Sequence, residues 1–199
     1  MRPRDENKEQ AIREKALEII VQDGFDGLSM GKLAKAAGVS PATIYIYFKD
    51  RDDLVNRLVL DESKKVMDAM LKDFDPSASF EQGLRRQWQS RASHLLENPL
   101  RMQFIEMIKN TSQFGSLYRP DHPFLLAMRE FAHNAIERKE LMPLPFEVFW
   151  SVAYAPLYQL VRFHLSPGRT MGPPEREPFV LDEQQMELAF QLVLKALKP

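Results

Sequence analysis

The chain has 199 residues, room for one domain or two small ones, and is long enough to bury a core without covalent staples. Hydrophobic residues at 44% and charged residues at 28% match an ordinary globular protein, which excludes a disordered or collagen-like chain. The net charge of -1 names no partner, and the lack of cysteine excludes a disulfide framework, a thiolate nucleophile and a cysteine zinc site.

Met1 to Glu6 have no apolar core of the signal-peptide kind, so the expected location is cytoplasmic. Helical periodicity covers nearly the whole sequence and period-2 alternation is almost absent, which predicts an all-α protein with no strand. The first helix is expected over about 7–22, with Ile12, Ala16, Ile19 and Ile20 inward and Gly24 as its stop. A short helix follows Ser29, an N-cap candidate, carries Leu33, Ala34 and Ala37 inward and ends at Gly38. Ser40-Pro41 opens a third, also short, because serine caps a free first-turn N–H and proline tolerates the next position. A fourth, over about 51–71, has Asp50 as its cap and Leu54, Leu58 and Val66 toward the core. Residues 73–79 read as a linker. Five more helices are predicted over about 79–97, 99–113, 123–139, 145–165 and 182–198, the last opened by Asp182 with Gln185 three residues on. The connection 166–181, with four prolines and two glycines, is longer than most and is expected to be mobile or functional.

The amino-terminal helices have the size and turn of a helix-turn-helix, with the two short ones joined by Gly38-Val39-Ser40. In the third helix Ile44 and Phe48 lie four apart and are expected to face the same core as Ile19, Leu33 and Val39. That leaves Ala42, Thr43, Ile46 and Tyr47 on or near the outer face. Isoleucine, tyrosine, threonine and a small alanine suit thymine methyls, phosphate oxygens and close backbone approach in a major groove. Charge agrees locally. Residues 1–60 hold ten basic and ten acidic side chains, yet from Gly27 to Lys49 there are Lys32, Lys35 and Lys49 and no acid. A surface facing phosphates needs positive or neutral groups. Arg2, Arg4 and Lys8 add a candidate arm for the minor groove or the backbone. Plainer alternatives stand beside these: Tyr45 can pack its ring sideways against a neighbouring helix, and Lys32 and Lys35 can simply be solvated.

The runs Gly27-Leu28-Ser29 to Leu33-Ala34, Ala37-Gly38-Val39-Ser40, Thr43-Ile44-Tyr45, Phe48-Lys49 and Asp50-Arg51-Asp52-Asp53-Leu54 carry a resemblance. Over about residues 8–60 the sequence resembles the DNA-binding domain of TetR/AcrR-family transcriptional regulators. The resemblance implies a homodimer on a near-palindromic operator of double-stranded DNA, usually a repressor, with a variable helical domain that senses a small ligand. By position it implies that Thr43, Tyr45 and Lys49 touch phosphates and that Pro41, Ala42, Ile46 and Tyr47 face base edges. Ser29, Lys32, Ser40 and Arg51 complete the candidate DNA-binding set. Ala42, Arg51 and Gly31 depart from the residues common at those places, and Gly31 leaves the second helix no side chain there for reading bases.

Catalysis has little support. His94, His122, His133 and His164 show no metalloprotease spacing, and the eight glycines form neither a phosphate loop nor a dinucleotide fingerprint. Glu130-Phe131-Ala132-His133 has the Glu-x-x-His spacing of di-iron bundles, but no second copy exists. No metal or cofactor is expected, and the chain is not expected to be an enzyme. The 145–165 helix is apolar nearly all round, but Gln159, Arg162 and His164 interrupt it, which argues for burial in protein rather than in a membrane. Pro156 is expected to kink or break it. The last helix has one stripe of Met186, Phe190, Val193 and Leu197 and a second of Leu188, Leu192 and Ala196. Both patterns suit the pairing of the two final long helices with those of a second subunit, which is the dimer contact the resemblance implies.

A soft aromatic set lies between the linker and this pair: Trp88, Met102, Phe104, Met107, Phe114, Tyr118, Phe124, Met128 and Phe131. These residue types suit an adaptable cavity for a small hydrophobic effector, with Arg91, Gln103, Asn110 or His133 as polar anchors. The narrowed ligand-binding set is Trp88, Arg91, Phe104, Met107, Phe114, Met128 and Phe131, and at helical spacing the same residues equally make plain core. The expectation is therefore a DNA-binding head over 5–60 and a helical ligand-binding, dimerising body over 61–199. The fourth helix, tied to both, is the natural lever. The rivals are a helical DNA-binding or interaction protein without an effector and a helical-bundle enzyme.

Overall fold

The computed structural model describes residues 5–109, 111, 121–166 and 178–199. Arg2, Arg4, Asn110, Phe114, Tyr118 and residues 167–177 of the expected long connection lie outside the described residues. Among the described residues there are nine α-helices and no strand: α1 Glu6–Asp23, α2 Met30–Ala36, α3 Pro41–Tyr47, α4 Arg51–Leu71, α5 Phe80–Glu97, α6 Pro99–Ile108, α7 Pro123–Glu137, α8 Phe146–Leu165 and α9 Glu183–Leu197.

The helices begin where a side chain can satisfy the first free N–H groups. Asp5 accepts from the Lys8 N–H, Ser29 from Lys32, Ser40 from Thr43, Asp50 from Asp53 and Asp182 from Gln185. They end where the chain must turn. Gly24 and Gly38, at φ of 76° and 66°, adopt the left-handed backbone that a Cβ would strain. The Gly24 N–H closes α1 on the Ile20 carbonyl, and past Gly38 the Val39 N–H reaches back to the Ala34 carbonyl.

The chain folds as two compact units, 1–65 with 98–119 and 66–97 with 120–199. In the first, Ile12, Ala16 and Ile20 of α1, Leu33 of α2, Ile44 of α3 and Leu54 and Leu58 of α4 share one core. Helix α6 follows residue 60 in the sequence yet packs here, burying Phe104 and Ile108 in that core. Its Arg101 reaches Glu14 of α1 at 2.6 Å and also pairs with the buried Glu62 of α4.

The second unit is built on the apolar stripes of four helices. Trp88 of α5 meets the Phe190 ring of α9 edge-on at 5.5 Å, and its indole N–H donates to the Ala153 carbonyl of α8 at 2.8 Å. Phe131 of α7 stacks on Phe80 at 5.8 Å and meets Phe74 at 5.4 Å. Pro156 does not break α8, which runs from Phe146 to Leu165 with the proline inside. The proline removes one ladder bond, but Ala153, Tyr154, Leu157 and Val161 are buried on either side of it, and their packing holds the helix together.

Gly83 of α5 lies against the Phe131 ring of α7. A Cβ there would lie 2.3 Å from a ring carbon of Phe131, which is itself fully buried between Phe74 and Phe80. Overpacking costs about 1–3 kcal/mol, against about 1 kcal/mol of helix propensity gained by alanine. Gly83→Ala is therefore expected to lower the urea midpoint; an unchanged or raised midpoint contradicts this packing.

Candidate functional site

The outer side of α3 is decided by what its inner side buries. Ile44 and Tyr47 lie three apart and share the buried face. The helix ends at Tyr47, and extended backbone at Phe48 then turns that ring into the same core, beneath the guanidinium groups of Arg13 and Arg57. Arg57 also donates to the Tyr47 carbonyl at 3.3 Å, satisfying one of the last free acceptors of the helix. Tyr47 was expected on the outer face facing base edges; at 5% exposed it belongs to the core, and that expectation is corrected. Ile44 and Phe48 do share one core, as their spacing predicts, and Tyr47 joins them because i+3 lies on the same face as i+4.

What remains outside is Pro41, Ala42, Tyr45 and Ile46, with Thr43 half-exposed. Tyr45 is 54% and Ile46 61% exposed, unusual for residues of that size on an ordered helix. The Ser40 hydroxyl is occupied by the Thr43 N–H at 3.2 Å and lies 2.9 Å from the Thr43 hydroxyl, so Ser40 sets the start of α3. Ser29 does the same for α2.

The charged candidates are less uniform. Lys49 is exposed at the end of α3, and its backbone N–H donates to Asp53 at 2.9 Å. That bond holds the Asp53 carboxyl below its ordinary pKa, with Arg57 adding to the effect. Lys32 bonds Asp23 of α1 at 2.8 Å, so an acid from outside the acid-free stretch does reach it. Both partners are about half-exposed, and such a pair holds a lysine only weakly. Arg51 braces the turn before α2, donating from Nε to the Leu28 carbonyl at 2.9 Å and from a terminal nitrogen to the Phe25 carbonyl.

The residues expected to bind a ligand do not form one group. Phe104 is fully buried in the core of the first unit with Met107 packed against it, so the expectation that these two line a cavity with Trp88 is corrected. Helical periodicity marked them as inward but not which neighbours they meet. Trp88, Arg91, Met128 and Phe131 all belong to the second unit. Trp88 borders a cleft of about 670 Å³ lined also by Arg85, Met186, Glu187 and Phe190, while Phe131 fills core beside Gly83. Arg91 and Met128 come together at 4.0 Å. Around Arg91 stand residues not singled out beforehand as ligand contacts: Gln87, Tyr154 and Tyr158, with Trp150 and Met70. The signal for them was the spacing of Trp150, Tyr154 and Tyr158, each four residues from the last. Among the described residues no three histidine, cysteine, aspartate or glutamate side chains cluster as a metal site, and no helix is long and apolar enough to cross a membrane.

The family profile described as bacterial regulatory proteins, tetR family, matches residues 12–58, which cover the cores of α1 to α3 and the first turns of α4. Over that stretch the chain matches the TetR-family DNA-binding head. A helix-turn-helix transcriptional regulator of Haemophilus influenzae is 34% identical over 99 residues, 50% of this chain and 50% of that protein. The chain spans about half the length, or less, of the curated relatives it matches. The structure of a TetR family transcription regulator from Marinobacter aquaeolei is similar over 99% of this chain and 98% of the other, with a TM-score of 0.72 and 29% identity. Bacillus subtilis FadR, solved in complex with stearoyl-CoA, shares the fold at a TM-score of 0.69 and 16% identity over 95% of this chain and 99% of that one.

The TetR-family head separates its two neighbouring tyrosines by role. Tyr47→Ala is expected to cost roughly 3 kcal/mol or more of stability through the cavity it leaves, and Tyr45→Ala to stay within about 0.5 kcal/mol of the parent. Chemical denaturation of both variants checks this, and equal losses contradict the inside-outside assignment.

Proposed function

We propose that the chain is a homodimeric, sequence-specific DNA-binding transcriptional regulator, and that α3 enters the major groove of a palindromic operator. The observation that carries this reading is the outward face of α3, on which Tyr45 and Ile46 stand exposed beside the small Ala42 on an acid-free helix. Ala42 permits close backbone approach, Ile46 matches a thymine methyl, and the Tyr45 and Thr43 hydroxyls and the Lys49 ammonium reach phosphates. Pro41 lies at the groove edge. Ser29, Lys32, Ser40 and Arg51 flank this face and position the reading helix; Tyr47 supports it from beneath.

In function, residues 5–60 act as the head and 61–199 as the body that dimerises and binds a ligand. Phe190, Val193 and Leu197 bury one side of α9, while Leu188 and Leu192 are exposed on another, as is Val148 on α8. An exposed apolar stripe on a helix already packed on its other side suits a second copy of the same helices. The regulator is a repressor released by a small hydrophobic ligand: an effector that binds better to the conformation unfit for DNA must lower operator affinity by the same factor. An apolar-tailed ligand in FadR, a protein of the same fold, supports that ligand class.

Selection of bound sequences from a random duplex pool supplies the operator for the test. Tyr45→Ala and Ile46→Ala are each expected to weaken binding to it by roughly 1–3 kcal/mol, read by fluorescence anisotropy, with the dimer intact. Leu126→Ala, an exposed leucine on α7, serves as the control without effect. Unchanged affinity in both α3 variants sinks the reading.

A further inference from the structure

Arg91 is 1% exposed and carries a guanidinium cation into the interior. One terminal nitrogen donates to the Gln87 amide oxygen at 3.0 Å and the other to the Tyr158 hydroxyl, with the Met70 sulfur also at 3.0 Å. Its Nε has no hydrogen-bond partner. The rings of Tyr154, Trp150, Phe124 and Tyr158 surround it at 4.1, 5.1, 5.6 and 5.9 Å. Among the described residues, no carboxylate pairs with it. Elsewhere in the chain Arg13, Arg57, Arg85, Arg86, Arg101 and Arg138 each have one. Burial pushes the Tyr154 hydroxyl up to about 12, so it stays neutral beside the cation and cannot balance it.

A full positive charge thus sits among neutral groups, where desolvation penalises it unless an anion compensates. Ring faces attract the cation but leave the edge of the fork open, and thioether sulfur is a weak acceptor that an oxygen anion readily replaces. Met70 and Met128 are unbranched and flexible, able to move aside for an apolar chain. Trp150 and Tyr158, both only half-buried, form the outer wall of this centre.

We propose that the effector of this protein carries an anionic head, a monocarboxylate on an apolar tail, and that Arg91 is the residue that pairs with it. The proposal rests on the apolar-effector reading above and names the charge such an effector must bear. A single planar guanidinium fits a carboxylate through two parallel bonds and balances one negative charge, which favours a monoanion over a phosphate dianion. Helices α4, α5, α7 and α8 all contribute to the centre, through Met70, Gln87, Phe124 with Met128, and Trp150 with Tyr154 and Tyr158. A head group bound there touches all four.

Isothermal titration of the full chain with decanoate and with 1-decanol, both below their aggregation limits, tests the proposal. Decanoate is expected to bind at least about tenfold tighter than the alcohol of equal length. In Arg91→Gln that preference is expected to vanish while decanol affinity is kept. Where Arg91→Gln does not fold, Arg91→Lys, which keeps the charge and loses the fork, is expected to show a reduced preference, and the comparison in the parent protein decides alone. Equal affinity of the parent for acid and alcohol overturns the proposal and leaves the apolar-effector reading standing. Binding of neither overturns both, and an Arg91→Gln protein that still prefers the acid overturns the role of Arg91.

Discussion

Burial of Ile44, Tyr47 and Phe48 against α1, α2 and α4 is the constraint on which the functional surface depends. A seven-residue helix is too short to persist in water, and its orientation comes from the apolar face it docks rather than from propensity. Once that face is fixed, the opposite side has no freedom left: Ala42, Tyr45 and Ile46 must point outward. Ser40 fixes where the helix starts, and the Arg57 bond to the Tyr47 carbonyl helps fix where it ends. Tyr45 and Ile46 keep more than half of their surface exposed, a placement that the proposed contact with DNA accounts for.

Charge is handled differently in the two units. Around α2 and α3 of the head the lysines are exposed and held loosely, as the half-exposed Lys32–Asp23 pair illustrates, so a phosphate can compete for them at little cost. In the second unit the Arg91 cation is sealed among rings and neutral acceptors, where loose holding is not available. The first arrangement suits a polyanion approached from solvent and the second suits one small anion taken out of solvent. Helix α4 runs through the sequence from one unit to the other, packing Leu54 and Leu58 in the head core and offering the Met70 sulfur to Arg91.

Much of this was legible in the residues themselves. Capping serines and aspartates, the two left-handed glycines and prolines near helix starts mark the ends, and each acts through local backbone chemistry that needs no knowledge of the fold. The outward Tyr45 and Ile46 followed from period alone only in part: Tyr47 was misplaced because i+3 lies on the same face as i+4, so the burial of Ile44 carries Tyr47 inward together with Phe48. Phe104 and Met107 were misassigned for another reason. Periodicity says that a side chain is inward and not toward what, and α6 joins the first unit through contacts with α1, distant in sequence. Arg91 was visible as a charge inside the apolar stripe of α5, but its cage comes from α4, α7 and α8, which only the tertiary fold brings together.

The central claim is that the outward side of α3 and the lysines flanking it, Lys32, Lys35 and Lys49, meet a duplex. Affinity for the selected operator, measured across a series of salt concentrations, tests it most directly. Counterion release predicts a linear fall of log affinity with log salt, with a slope steeper than about -2 for two heads each contributing cations. An affinity indifferent to salt would mean that no phosphates are engaged and would contradict the account.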